Sequence, residues 1–385
     1  MYSVRFFDTR QKDFVDFAPK HKKVTIYVCG ITPYDSAHLG HIFTFMTYDL
    51  LERRLEDLGY EVQVVRNITD VDEPIFVRAS QNNEHYTELA KREIESFQEI
   101  MRMLNFREPD TEPLASDYIA EMASAVQRLL ESGNAYKLDN DIYFDVSTFP
   151  NFRSFSGFSE KLATAFMAER GGDPKRPGKR HPLDFLLWRG ITDPEDPAAW
   201  ESPVGYGRPG WHIECSVMSS RLLDTPIDIH GGGMDLIFPH HECELTQSES
   251  LGQKPFVKNW LHVAPLLLDG EKMSKSLGNL IFARDLLKEA SPAAVRLVML
   301  NYHYRLGGEW RREWWHDALD IEKQIRLLLK APDSKRATGL LTKVRDALDD
   351  NLDTPAVLTA IRSHVLVQGS ASELRDTLDL LGIAL

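Results

Sequence analysis

Apolar residues run almost unbroken through Val24-Thr-Ile-Tyr-Val-Cys29 and stop at Gly30. A run of this kind predicts a buried strand, and the glycine permits the turn that ends it. The period then changes. From His38-Leu-Gly-His41 the apolar positions continue at Phe43, Met46, Leu50, Leu51 and Leu55, which is helical spacing. A second β-rich run covers Glu61 to Ile68. Strand, glycine-bearing turn, helix and strand is the βαβ order of a parallel sheet. Residues 84–132 read as amphipathic helix with a break at Arg107-Glu-Pro-Asp110, and Tyr136 to Val146 reads as a short strand. Residues 168–182 form a Gly/Pro-rich basic loop. Alternating strand and helix signals return at Leu183–Trp188, Ile227–His230 and Trp260–Val263, and after residue 284 the pattern is helical to the end. The expectation is an α/β fold. A Rossmann-like nucleotide domain spans residues 1–285, an insertion at 75–180 separates its halves, and a helical domain spans 286–385.

With 385 residues, 43% of them hydrophobic, the chain can bury a core large enough for two domains. No basic segment leads into an apolar one at the N-terminus, and no apolar run approaches the roughly 20 residues of a membrane span, so a cytoplasmic protein is expected. Three cysteines, an odd number, do not read as a disulfide framework. The net charge of −13 speaks against a polynucleotide partner, although a local basic patch would suffice to hold one.

His38-Leu-Gly-His41 falls where a strand hands over to a helix. The N–H groups and partial positive charge of a helix N-terminus bind phosphate readily. Gly40 allows a nucleotide to come close, and two imidazoles can donate to phosphate oxygens. A bare His-x-Gly-His is weak, since two histidines at a helix start are more often capping or packing residues. What favours the nucleotide reading is a second motif, Lys272-Met-Ser-Lys275-Ser276, between Asp269-Gly-Glu and Leu-Gly278-Asn279. Lysines on a Gly-flanked loop suit neutralising a leaving pyrophosphate. His38, His41, Lys272 and Lys275 are therefore the expected catalytic residues.

Cys29, Cys215 in Trp211-His-Ile-Glu-Cys-Ser, and His240 in Pro239-His-His-Glu-Cys-Glu244 make a soft, zinc-competent set. For any one of them alone, core packing would be the favoured reading. Glu244 lies one helical turn from His240. It is a candidate fourth ligand or a support for the ligands, and a solvent-facing carboxylate is the alternative. A metal contact to a thiol discriminates against a hydroxyl isostere, where a hydrophobic pocket discriminates weakly. Zinc beside an ATP site thus points to activation of free cysteine. In Gly231-Gly-Gly233-Met234-Asp235 the backbone can crowd a ligand, and Asp235 could accept from a ribose hydroxyl or an amine.

Together, His-x-Gly-His, Lys-Met-Ser-Lys-Ser, Gly-Arg-Pro-Gly-Trp-His-Ile-Glu-Cys-Ser and Phe-Pro-His-His-Glu resemble the cysteinyl-tRNA synthetase lineage of class I synthetases. The resemblance covers essentially the whole chain. It implies a Rossmann-like class I synthetase catalytic domain, ATP-dependent formation of cysteinyl-adenylate with Mg²⁺ accompanying ATP, and one zinc ion held by Cys29, Cys215 and His240. The tRNA synthetases extend through a helical bundle into an anticodon-binding domain, and the stretch after Ser276 has room for little more than the bundle. Ile31-Thr-Pro-Tyr-Asp-Ser-Ala-His, Glu169-Arg-Gly-Gly-Asp-Pro174 and Asn351-Leu-Asp-Thr-Pro355 resemble the mycothiol-pathway ligases, which join cysteine to the amine of glucosaminyl-inositol. By that resemblance Cys29, Gly30, Ile31, Thr32, Gly40, Thr44, Asn67, Ile68, Thr69, Trp211, Gly233, Met234, Asp235 and Leu266 contact the nucleotide or the adenylate. Trp211 could instead be core, but its place four residues before Cys215 favours a pocket wall. Glu244 is as in the tRNA synthetases, and Met234 and Leu266 also depart from the ligase pattern. Two other readings stay open: a truncated synthetase paralogue charging tRNA or another amine, and an inactive paralogue that senses cysteine.

Overall fold

The structure is a computed structural model and describes residues 3–273, 278–332 and 336–385. Ahead of the first expected strand, β1 (Val4–Asp8) and β2 (Asp13–Phe17) form an antiparallel hairpin. Next come β3 (Lys23–Ile31), α1 (Leu39–Asp57) and β4 (Glu61–Ile68), with β3 and β4 paired in parallel. His38 is the N-cap of α1, and its Nδ1 accepts from the Gly40 N–H at 3.1 Å. That bond satisfies one of the orphan donors of a helix start.

The helical stretch resolves into α2 (Glu73–Asn82), α3 (Tyr86–Met103) and α4 (Ile119–Glu131), with Arg107–Asp110 in the gap before α4. β5 (Ala135–Leu138), β6 (Asp141–Phe144), α5 (Glu160–Glu169), β7 (Phe185–Gly190) and β8 (Gly207–Pro209) follow. Their strands form an antiparallel sheet in the order β5-β6-β7-β8. The basic loop folds back on this sheet. Arg176 pairs with Asp139 and Asp141, Arg180 with Asp145, and Lys179 donates to the carbonyls of Asp173 and Pro182. These cations are engaged inside the fold.

α6 (Trp211–Leu222), β9 (Ile227–Gly233), α7 (Glu242–Ser250) and β10 (Val257–Val263) bring the chain back to the parallel sheet, whose order is β10-β9-β3-β4. The chain moves outward from β3 to β4 on one side and from β9 to β10 on the other. The order therefore reverses between β3 and β9, and open α/β sheets bind ligands outside the carboxyl ends of such a pair.

The chain ends with β11 (Leu266–Leu268), β12 (Glu271–Lys272), α8 (Ala283–Glu289), α9 (Pro292–Met299), β13 (Gly308–Glu309) and α10 (Arg312–Lys330). After these come α11 (Leu340–Asp349), α12 (Thr354–Leu366) and α13 (Ala371–Leu380). On one face of the parallel sheet, Ile26, Val28 and Leu51 share a core with Leu297, Ile325, Val344 and Leu374. The terminal helices thus pack into the same apolar layer as α1. Tyr27 and Val65 belong to a second core with Val126, Phe144, Trp188 and Trp260.

Candidate active site

At the carboxyl ends of β3 and β9 lies a cavity of about 330 Å³. It is lined by Cys29, Gly30, Ile31, Thr32, Gly40, Thr44, Trp211, Gly233, Asp235 and Leu266, together with His38, His41 and Lys272. Four of the expected contacts stand outside this lining. Asn67 accepts from the Gly30 N–H at 3.0 Å and donates to the Thr69 hydroxyl at 3.2 Å, so it braces the wall from behind. Ile68 is buried in the pairing with Ile31, and Met234 begins the single turn Met234–Leu236.

The two nucleotide motifs are joined by backbone. Leu39 N–H donates to Ile281 O at 2.9 Å, and Ala283 N–H donates to Ala37 O at 3.1 Å. This pairing sets the chain after the signature loop against the start of α1. The His38 and His41 rings stack with centroids 3.8 Å apart. Lys272 Nζ stands 2.8 Å from Asp235 Oδ2. Lys275 and its neighbours Ser274, Ser276 and Leu277 lie outside the described residues.

Beneath the cavity the ligand atoms of Cys29, Cys215, His240 and Glu244 lie within 4.8 Å of one another, all buried. The two Sγ atoms are 3.7 Å apart, Cys29 Sγ is 3.6 Å from Glu244 Oε1, and His240 Nε2 is 3.0 Å from the same oxygen. Two thiolates bound tetrahedrally at about 2.3 Å sit about 3.8 Å apart, so the sulfur pair already has the spacing zinc needs. Electrostatics agree. Burial disfavours charge on Glu244, yet His230 and His240 outweigh it and hold the carboxyl down at about 2. Burial likewise opposes an imidazolium at His240, but Glu244 and Cys215 raise it to about 10. Burial pushes the Cys29 thiol up. On Cys215, burial is overcome by the hydrogen bond from Cys29 and by His240, which bring it to about 6. A carboxylate and an acidified thiol balanced by one imidazolium make a site that favours a cation. His240 Nδ1 faces His212 Nδ1 at 3.0 Å, an orienting contact of the kind metal-bound imidazoles keep.

The same sulfur and carboxylate also belong to a second donor set, Cys29, His230, His241 and Glu244. His230 Nε2 is 2.9 Å from Glu244 Oε2, and His241 Nε2 is 3.3 Å from Cys29 Sγ. His241 Nδ1 in turn meets His262 Nε2 at 2.6 Å. His230, His241 and His262 are absent from the sequence-based list of site residues. For His230 the available signal was a histidine directly before the three glycines, in the Ile227–His230 strand run. For His241 it was adjacency, since spacings of three and four from Glu244 both fall on one helix face. Arg170 was missed as well. It lines the cavity, and its guanidinium donates to the Asp235 carbonyl at 3.0 Å. Trp211 lines the cavity and stacks on His240 with ring centroids 4.3 Å apart, and it is half-buried and outside the apolar core. A wider groove of about 530 Å³ between α4 and α6 contains none of the motif residues except Ser216.

The chain matches the family described as tRNA synthetases class I (C) catalytic domain over residues 16–319. It is 41% identical to the L-cysteine:1D-myo-inositol 2-amino-2-deoxy-alpha-D-glucopyranoside ligase of Thermobispora bispora, across 99% of this chain and 96% of that one. The ligase of the same name from Streptosporangium roseum is 42% identical over the same shares. Among solved structures, Mycobacterium tuberculosis methionyl-tRNA synthetase in complex with methionyl-adenylate superposes with a TM-score of 0.61 at 16% identity, covering 94% of this chain and 84% of that one. Agrobacterium radiobacter K84 agnB2 LeuRS, in a ternary complex with tRNA and LeuAMS, gives 0.62 at 11% identity, covering 94% and 83%. At such identities the likeness is one of fold, and it supports the Rossmann-like α/β architecture with a helical C-terminal region. The chain belongs to the class I (C) synthetase family and, within it, to the L-cysteine:1D-myo-inositol 2-amino-2-deoxy-alpha-D-glucopyranoside ligases.

Proposed function

We propose that this chain is an ATP-dependent, AMP-forming cysteine ligase that joins cysteine to the amine of glucosaminyl-inositol in mycothiol biosynthesis. The observation that carries the reading is that the thiol-rich donor cluster opens, through Cys29, onto the cavity that His38, His41 and Lys272 line. Cys29, Cys215 and His240, with Glu244 as a fourth ligand or a support for the ligands, would hold zinc, which would supply a soft Lewis acid for a substrate thiolate and so discriminate against serine.

The chemistry has two halves. The cysteine carboxylate attacks the α-phosphorus of ATP and pyrophosphate leaves. His38, His41, Lys272 and Lys275 carry the charge that develops on the phosphates, with Mg²⁺ accompanying ATP. The acceptor amine then attacks the adenylate carbonyl, forming the amide and releasing AMP. Gly30 to Thr32, Thr44, Asn67 to Thr69, Trp211, Gly233 to Asp235 and Leu266 form or brace the adenylate pocket in this reading. We take residues 1–285 as the activating domain and 286–385 as the helical one. Glu244 is the one feature that favours the tRNA alternative. Against it, Arg176, Lys179 and Arg180 of the 168–182 loop are paired with groups of the chain itself. We read the enzyme as cytoplasmic; among the described residues no helix is long and apolar enough to cross a membrane.

Isotope exchange between ATP and pyrophosphate tests the first half. It should depend on cysteine, with serine weaker by about three orders of magnitude or more. Equal support from serine would contradict the thiol site.

A further inference from the structure

The strand that leads into the terminal helices reaches back to the turn ahead of the signature loop. β11 ends at Leu268 and β12 begins at Glu271, so Asp269-Gly270 is a two-residue hairpin turn. Both residues have positive φ, 56° and 78°, as the tight turn that suits twisted strands requires. A turn of this kind leaves the N–H groups of its two central residues outside the ladder. Glu309 takes both: Oε1 accepts from the Asp269 N–H at 2.6 Å and Oε2 from the Gly270 N–H at 3.1 Å.

Glu309 is itself rooted among the terminal helices. Its strand β13 pairs in parallel with β11, Leu267 opposite Glu309, and the Trp310 N–H donates to Leu267 O at 2.8 Å. The Tyr302 hydroxyl donates to the Glu309 carbonyl at 3.3 Å, and Tyr302 lies in the core that the sheet shares with those helices. Gly307 lets the chain pass this close, since a Cβ there would stand 2.1 Å from Pro265 O. β11 has three residues and β12 two, too little to hold a register alone. The register matters. Lys272 pairs with Leu267, the Met273 N–H donates to Leu266 O, and Leu266, Lys272 and Met273 all line the cavity.

We infer that Glu309 is a positioning residue for activation: its carboxylate clamps the Asp269-Gly270 turn and so fixes where Lys272 enters the cavity. The inference rests on the ligase reading above. Glu309 stands outside the cavity lining, so its effect passes through the backbone and not through contact with a substrate. The clamp serves the first half of the chemistry, in which charge develops on the leaving pyrophosphate. Transfer from a finished adenylate involves no triphosphate and does not call on it. Through this one side chain the terminal helices take part in activation.

Glu309→Ala removes both bonds. In cysteine-dependent exchange between ATP and pyrophosphate, kcat should fall about 10- to 100-fold, the scale of a misplaced catalytic group, while the KM for cysteine holds within about twofold. Single-turnover transfer from preformed cysteinyl-adenylate to glucosaminyl-inositol should change by less than about threefold. Glu309→Gln keeps an acceptor oxygen and should regain part of the lost rate. Gly270→Ala strains the same turn at a φ that L residues rarely adopt, and should give the same split. Since both act through one turn, the double variant should be little worse than the poorer single one. An unchanged exchange rate in Glu309→Ala would overturn the inference. Equal losses in both halves would do so too, marking a general structural defect, as would fully additive losses in the double variant. Absence of cysteine-dependent exchange in the wild-type protein would instead sink the ligase assignment itself.

Discussion

Two buried glutamates show how surroundings decide what a carboxylate does in this protein. Glu244 is completely enclosed but faces His230 and His240, and it stays ionised as a metal-competent donor. Glu52, on α1, is also buried, and its pKa rises to about 8 because burial is joined by the like charges of Asp49 and Glu56, against which Arg107 and Arg53 are too weak. The sign of its linkage follows. The folded value lies above the ordinary 4.5, so Glu52 costs nothing below pH 4.5. Its ionisation then erodes stability as pH rises toward about 8, and the loss is constant beyond that. Glu52→Gln keeps the shape without the charge. It should melt close to wild type near pH 4.5 and be more stable by about 1–3 kcal/mol at pH 8, as thermal melts at the two pH values would read out. An equal difference at both would show that Glu52 ionises freely.

At the scale of elements, the site depends on the close passage of β3 over β4. A Cβ on Gly30 would lie 1.6 Å from the Asn67 carbonyl oxygen, an overlap only backbone movement could relieve. Gly30→Ala should therefore cost about 3 kcal/mol or more and lower zinc content by displacing Cys29, as denaturation and metal analysis on one preparation would show. Wild-type stability with full zinc would contradict this geometry. The β3–α1–β4 unit was legible in sequence because its hydrophobic period changes abruptly and His38 caps the helix where the change occurs. The hairpin β1–β2 was not, because Asp13–Phe17 is short, only its Phe17 is buried, and it carries no strong period. Sheet order and the bulge between Val28 and Ile31 come from long-range pairing that no local pattern encodes. The same holds for the histidines. Cys29, Cys215 and His240 stood out by residue type in motifs, whereas His262 enters the site only because β10 pairs beside β9.

At the scale of the whole molecule, the terminal helices are built into the catalytic layer. Arg296 of α9 is fully buried and reaches Asp49 on α1 and the carbonyls of Leu104 and Leu381, so one guanidinium joins three segments far apart in sequence. Burial works against the charge on Asp49, and Arg296 and Arg53 prevail and hold it ionised. Breaking such a pair costs more than never having it, which makes it a fixed tie between the helices and the sheet. In our proposal, activation and transfer both occur in the cavity at the ends of β3 and β9. The measurement that bears most directly on that account is a competition for acceptor. Zinc-loaded protein is given cysteine and ATP with glucosaminyl-inositol and cysteine-accepting tRNA together, and the products are resolved by mass. The account predicts AMP release matched by the cysteinyl amide of the amino sugar, with the tRNA uncharged. A cysteinyl ester on tRNA with the amino sugar unmodified would contradict it.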